Sequence, residues 1–223
     1  MELQGVILDV DGTLVLSNDA HAQAWVEAFA DSGYEVPFEK VRPLIGMGGD
    51  KVLPKLVPEL NDEEGDGKKI SQRRKELVIN HYAANLKPTN GSRQLVLQMQ
   101  RAGLKLIVAS SATSEELSLL LKAAQVDDLL TETTSSSDAD NSKPAPDIVE
   151  VALKKLDLPP SEVVMLGDTP YDIEAAGGCG VGVIAVRSGG FDDEQLKGAI
   201  GIYDDPAALL ADYFRETLGE DEA

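Results

Sequence analysis

The sequence predicts an α/β fold: a parallel sheet flanked by helices, with a small α-helical domain inserted near its start. Three observations carry this expectation. Four apolar runs, Leu3–Val10, Leu104–Ala109, Val163–Leu166 and Val181–Val186, are near-continuous rather than alternating, the pattern of strands covered on both faces. Helical patterns fill 90–102, 113–125, 145–156 and 170–177, so strand and helix alternate as in right-handed βαβ units. Finally, residues 17 to 86 contain no good strand candidate.

The first run ends at Asp11-Gly12, and helical segments follow at Ala20–Asp31, Phe38–Ile45, Lys51–Leu56 and about Glu63 to Asn85. Roughly 70 residues between the first strand and the next βα unit are too many for a loop. The economical division is a core built from residues 1–15 and 87–223 and a helical domain over 16–86. Its hinges are expected at Leu14–Ser17 and Leu86–Pro88. The biased run Ser135–Ser142 reads as a surface loop.

At 223 residues, with 43% hydrophobic and 26% charged side chains, the chain has ordinary globular usage and can bury a substantial core. Lys and Arg total 20 against 39 Asp and Glu, a net charge of −19. Such a surface repels phosphodiester backbones and anionic headgroups, so neither nucleic acid nor membrane is an expected partner. A small anionic substrate remains compatible where a metal or a lysine reverses the local field. One cysteine, Cys179, excludes a disulfide framework and reads as a small buried residue. No apolar run approaches the ~20 residues of a membrane span. Met1–Gly5 has no basic leader region, so a cytoplasmic location is expected.

The chemistry concentrates at strand ends. In Asp9-Val10-Asp11-Gly12-Thr13 the two carboxylates are two residues apart on an extended chain and point the same way, beyond the carboxyl end of a strand where α/β sheets bind ligands. Adjacent carboxylates need a cation or a proton to coexist. The third run ends Leu166-Gly-Asp-Thr-Pro-Tyr-Asp172, setting Asp168 at another strand end and Asp172 in the first turn of a helix. Oxygen ligands from two strand ends suit Mg²⁺. Ser110 and Ser111 follow the second run, where hydroxyls and amides at a helix start can hold phosphate oxygens. In Ser142-Lys143-Pro144-Ala145-Pro146-Asp147 the prolines stiffen the backbone that presents the Lys143 ammonium. Taken singly, each motif also has a plain reading: a solvated turn, a capping serine, a surface lysine, a helix-start acid.

Together, in this order, the four motifs resemble the haloacid dehalogenase superfamily over nearly the whole chain, nearest its phosphoglycolate phosphatase and β-phosphoglucomutase branch. The resemblance implies a Rossmann-like core and a helical cap of the family's first type. It also implies that Asp9 is the nucleophile and Asp11 the general acid and base. Mg²⁺ would lie between Asp9, the backbone carbonyl of Asp11, and Asp168. Ser110, Ser111 and Lys143 would hold phosphoryl oxygens, and Asp172 would orient metal-bound water or Lys143. Dehalogenating and phosphonate-cleaving relatives lack the second aspartate, so phosphoryl transfer is favoured. The expected activity is Mg²⁺-dependent hydrolysis of a small phosphorylated metabolite of the phosphoglycolate or sugar-phosphate type. The alternative is a sugar-phosphate mutase, against which Thr13 counts, as does Gly49, where the mutase pattern has an arginine. A non-catalytic phosphate-binding regulatory module runs against the cost of burying four carboxylates without a metal.

Within the insert, His21 reads first as a packing histidine, with contact to substrate or to the acid as the other reading. Lys51 reads equally as a substrate contact or a solvent-facing lysine. Trp25 and Phe29, one turn apart, read as core of the helical domain. Lys68, Lys69, Arg73, Arg74 and Lys75 alternate with acids and read as a solvated helix face. Oligomeric state is left open.

Overall fold

The computed structural model describes residues 3–218. It contains strands β1 (Gly5–Leu8), β2 (Val15–Leu16), β3 (Lys87–Pro88), β4 (Lys105–Ala109), β5 (Thr133–Thr134), β6 (Val163–Gly167), β7 (Gly182–Val186) and β8 (Gly201–Tyr203). The helices are α1 (Asn18–Asp31), α2 (Phe38–Val41), α3 (Gly49–Leu56), α4 (Gly65–Leu77), α5 (Ser92–Arg101), α6 (Ser114–Ala123), α7 (Asp147–Leu156), α8 (Pro170–Gly178) and α9 (Pro206–Leu218). No helix among the described residues is long and apolar enough to cross a membrane.

Six strands form one sheet in the order β5-β4-β1-β6-β7-β8, every neighbouring pair parallel. The chain runs outward from β1 through β4 to β5, then returns to the other side of β1 for β6, which makes β1 the switch point where such sheets open a crevice. Register fixes what lies there. Leu8 is level with Val108 on one side and Leu166 on the other, so the residues just beyond the three strands emerge on one line.

Two apolar clusters, one around Leu8, Val108 and Leu120 and one around Ile7, Ile148 and Met165, clothe the sheet; successive residues of β1 contribute to opposite faces. A third cluster, around Trp25, Phe29, Leu53, Ile70 and Leu77, lies wholly within the insert. The two chain crossings into the insert pair with each other, Val15 opposite Pro88 and Leu16 opposite Lys87, in a short antiparallel ribbon.

The sequence misses β5, β8 and α9. The first two are strands of two and three residues at the sheet margins, too short to display a period. Cys179, expected to be buried, is half-buried at the end of α8.

Candidate active site

Asp9 and Asp11 leave β1 into a tight turn. Gly12 there has φ +78°, and a Cβ at this position would stand 2.2 Å from Asp168 Oδ2, so glycine is required both by conformation and by closeness. Opposite, Asp168 leaves β6. Side-chain oxygens of Asp9, Asp168 and Asp172 lie within 4.8 Å of one another, all three residues buried. Asp9 and Asp168 are therefore close enough to share one ion. The Thr13 hydroxyl bridges them, 3.0 Å from Asp9 Oδ2 and 3.3 Å from Asp168 Oδ1. Asn18, the first residue of α1, donates its amide to Asp168 Oδ2 at 2.8 Å.

Lys143, 1% exposed, is the cation of this cluster. Its ammonium donates to Asp9 Oδ1 at 2.6 Å and to the Ala109 carbonyl at 3.0 Å, and lies 2.8 Å from Asp172 Oδ1. Asp172 has a second task. Its Oδ2 accepts from the Thr169 amide and hydroxyl, while Thr169 Oγ1 accepts from the Asp172 amide, a capping box that starts α8.

Three carboxylates and one ammonium leave two negative charges uncompensated in a buried site. Burial, helped by the charges of Asp172 and Asp11, pushes Asp9 up to about 7 against the pull of Lys143. Burial, then the charges of Asp9 and Asp172, hold Asp168 well above the usual carboxylate range. Burial alone would lower the Lys143 ammonium, but Asp172 and Asp9 outweigh it and raise its pKa. The uncompensated charge equals that of one divalent cation, and the donor set is all hard oxygen, so the residues fit Mg²⁺.

The Asp11 side chain turns away from this cluster. Its Oδ1 meets Ser17 Oγ at 2.5 Å and His21 Nε2 at 2.6 Å. Burial would raise the Asp11 carboxyl, but His21, then Ser17 and Arg74, bring it down to about 2. Arg74 NH2 lies 2.7 Å from His21 Nδ1, and a guanidinium can only donate. His21 Nδ1 is thus the acceptor and Nε2 carries the proton directed at Asp11. Arg74 NH1 in turn donates to Glu116 Oε1 at 2.5 Å. Glu116 is buried in α6, where its other oxygen closes a capping box with Thr113. One chain of polar contacts therefore joins Asp11 of the core, His21 and Arg74 of the insert, and Glu116 of the core.

Above the carboxylates is a cleft of about 490 Å³, with Asp9 and Asp11 at its floor, the core segments 111–113 and 139–142 on one side, and the insert on the other. Acidic strand ends and a buried lysine thus meet at the switch point of a parallel sheet, and a family model described as haloacid dehalogenase-like hydrolase matches residues 6–186. The chain belongs to this family.

Similarity extends along most of the chain. A hydrolase from Pseudomonas syringae superposes with a TM-score of 0.88 at 27% identity, covering 95% of this chain and 98% of that one. CbbY from Rhodobacter sphaeroides, solved in complex with phosphate, gives 0.74 at 26% identity over 93% of this chain and 96% of its own. The Arabidopsis thaliana protein SUPPRESSOR OF QUENCHING 1, chloroplastic, is 34% identical over 193 residues, 84% of this chain but only 18% of that protein's length.

The structure brings Asp9, Lys143, Asp168 and Asp172 together and sets Asp11 beside them. Ser110 does not line the cleft. It is buried, and its hydroxyl accepts from the Ala112 amide within the turn, whereas Ser111 faces the cavity. His21, read first as a packing residue, is 2% exposed but spends its ring nitrogens on Asp11 and Arg74 and lines the cleft. Lys51 lies outside the cleft lining, paired with Asp50 at 3.3 Å. Trp25 belongs to the insert's apolar cluster and also lines the cleft.

The solvated-face reading of the basic cluster holds for Lys69 and Arg73, which pair with exposed Asp66 and Asp31, but not for Arg74. Ile70, Arg74 and Leu77 share one helical face, and Ile70 and Leu77 are buried. That spacing is the signal that Arg74 turns inward. Glu116 and Asn18 carried no comparable mark. Thr113-x-x-Glu116 announces a capping box, but not the second carboxylate oxygen that reaches Arg74.

Proposed function

We propose that the protein is a Mg²⁺-dependent phosphatase that hydrolyses a small phosphorylated metabolite through an aspartyl-phosphate on Asp9. The observation that carries this reading is the buried cluster whose unbalanced charge matches one divalent cation, lying beneath a cleft and beside a separately held carboxylate. Family membership and the phosphate held by the similar CbbY add to it.

In the first step an Asp9 carboxylate oxygen forms a bond to phosphorus as the ester P–O bond breaks, and Asp11 gives a proton to the departing alkoxide. In the second, Asp11 takes a proton from water, the water oxygen bonds to phosphorus, and the Asp9 carboxylate is released. Lys143 and Ser111 stabilise the phosphoryl oxygens, which carry the transition-state charge. Asp9, Asp168 and the Asp11 carbonyl would hold Mg²⁺, which would supply the positive charge that lets a carboxylate approach a phosphate dianion. Asp172 holds Lys143 in place. With His21 and Ser17 donating, Asp11 rests as a carboxylate, the form that activates water. The acid step needs its protonated form, so these contacts give way to the leaving oxygen as substrate seats. We assign residues 16–86 the role of a cap over the core of 1–15 and 87–223, covering the phosphoryl group from bulk water.

The test is phosphate release from a panel of phosphate esters with Mg²⁺ and with chelator. Release is expected to fall by at least about 100-fold on chelation and to recover with Mg²⁺; chelator-insensitive turnover overturns the reading. Isomerised sugar phosphate without net phosphate would instead support the mutase. His21→Ala is expected to lower kcat by about 100-fold with little change in melting temperature, because Asp11 loses the donor that sets its orientation. Unchanged kcat would free Asp11 from this control.

A further inference from the structure

The insert reaches Asp168 through a side chain that the mechanism above does not use. Asn18, the first residue of α1, is 4% exposed, and its carboxamide nitrogen lies 2.8 Å from Asp168 Oδ2 and 3.1 Å from the Gly189 carbonyl oxygen. Two acceptors about one atom identify that atom as the NH₂ group. The other end of the carboxamide, Oδ1, is buried and has no hydrogen-bond partner among the described residues. Asp168 and Gly189 therefore set the orientation of the amide between them, and the amide in turn holds Asp168. Thr13 takes the other Asp168 oxygen, Oδ1, at 3.3 Å, so the carboxylate is gripped by the core on one side and by the insert on the other.

Gly189 is more than an acceptor. It belongs to the turn Arg187–Gly189 that follows β7, and a Cβ there would stand 1.6 Å from Asp168 Oδ2, so only glycine lets the backbone lie against the carboxylate. The same turn is tied to the turn after β1, where Ser188 Oγ donates to the Gly12 carbonyl at 2.6 Å. From the insert, Arg42 NH2 donates to the Gly189 carbonyl at 2.5 Å, while its Nε donates to Asp19 of α1 at 2.6 Å. One backbone oxygen thus receives both Asn18 and Arg42. Nearby, the Tyr171 hydroxyl donates to the Pro43 carbonyl at 2.6 Å, which seats this part of the insert on the core.

A small cation that demands near-ideal geometry is bound well only by carboxylates that are aimed beforehand. A neutral amide does this without adding a charge that competes for the ion. We infer, on the Mg²⁺ reading above, that the insert completes the cation site: Asn18 is a positioning residue that aims Asp168 at the ion, and Arg42 steadies the turn on which Asn18 and Asp168 both rest. Metal affinity is thereby linked to the seating of the insert.

In the experiment Mg²⁺ alone is titrated by calorimetry into metal-free protein, with no substrate, for the parent, Asn18→Ala, Arg42→Ala and Arg42→Lys, and each is melted in chelator. Asn18→Ala is expected to raise the Mg²⁺ Kd by at least about 10-fold, the usual worth of a side chain that orients a metal ligand. Arg42→Ala alters no ligand of the ion and is expected to raise Kd by about 3-fold, the scale of one hydrogen bond. Arg42→Lys, which keeps a donor for the Gly189 carbonyl, should recover most of that loss. A merely structural role would instead lower the melting temperature in chelator and leave Kd where it was. Parent-like Mg²⁺ affinity in Asn18→Ala or in Arg42→Ala therefore overturns the inference while the hydrolase reading stands; should Asn18→Ala fail to fold, Arg42→Ala decides alone. A parent that binds no Mg²⁺ overturns both.

Discussion

Asp9→Asn is expected to abolish turnover, by at least about 10⁴-fold in kcat, while the protein folds and melts as the parent does. The amide has the shape of the carboxylate but no charge and no nucleophilic oxygen. Its carbonyl still accepts from Lys143 where Asp9 Oδ1 does, at 2.6 Å, and its NH₂ can donate to the Thr13 hydroxyl that now lies 3.0 Å from Oδ2. The substitution also removes one of three crowded carboxylates, the one that burial pushes up to about 7, so without divalent cation the variant should be no less stable than the parent. Phosphate release and a thermal melt decide the matter together. Activity near that of the parent in a folded Asp9→Asn protein would remove Asp9 from the role of nucleophile, and with it the covalent intermediate.

The parts of the molecule legible in the sequence were those in which one element carries the whole signal. Continuous apolar runs gave β1, β4, β6 and β7, because strands buried on both faces have no polar side to show. The acids at the ends of β1 and β6 were equally plain, since their chemistry stands at fixed offsets from those runs. What escaped depends on two elements meeting. Arg74 reads as one more solvated charge until α4 packs against α1, and Glu116 becomes its partner only once the insert folds over the core. Ser110 and Ser111 are neighbours with the same chemistry, and only the turn geometry decides which hydroxyl bonds the backbone and which residue joins the cleft lining. Thr133–Thr134 and Gly201–Tyr203 belong to the sheet through backbone pairing at its margins, which leaves little trace in side-chain pattern.

That division has a physical consequence for the site. Asp9, Asp11 and Asp168, to which we assign phosphoryl transfer, stand just beyond strands locked by sheet register, so their offsets are fixed and readable. The insert residues that reach Asp11, His21 directly and Arg74 through it, come from α1 and α4, tied to the core by side-chain contacts such as Arg74 to Glu116 and Lys75 to Glu115. Exchanging such contacts disturbs no sheet, as the cap role we propose for residues 16–86 would require.

Lys143→Met should have the largest effect on stability, and its pH dependence identifies the cause. Methionine keeps most of the side-chain volume but removes the one ammonium buried among Asp9, Asp168 and Asp172. Breaking a buried ion pair by deleting one partner costs about 3–5 kcal/mol, because the other charge is left uncompensated. For a chain of this length that is a fall of roughly 10 °C in melting temperature. Turnover should fall as well, by about 10³-fold, with loss of the cation to which we assign the phosphoryl oxygens. A carboxyl whose folded pKa is raised binds its proton more readily in the folded state. Its contribution to stability is therefore complete below the unfolded value of 3.8 and is lost as pH rises through the folded value, about 7 for Asp9 in the parent. Removing Lys143 takes away the interaction that holds Asp9 down, so in the variant that folded value rises further. Measured in chelator, the stability gap between parent and variant should accordingly be smaller near pH 5, where loss of the Asp172 pair remains, and widen toward pH 8. Adding Asp9→Asn to Lys143→Met should close much of the gap at pH 8, since the two side chains act as a pair. A gap that is constant with pH, or a double variant no more stable than Lys143→Met alone, would mean that the lysine stabilises the fold by packing rather than by neutralising the carboxylates.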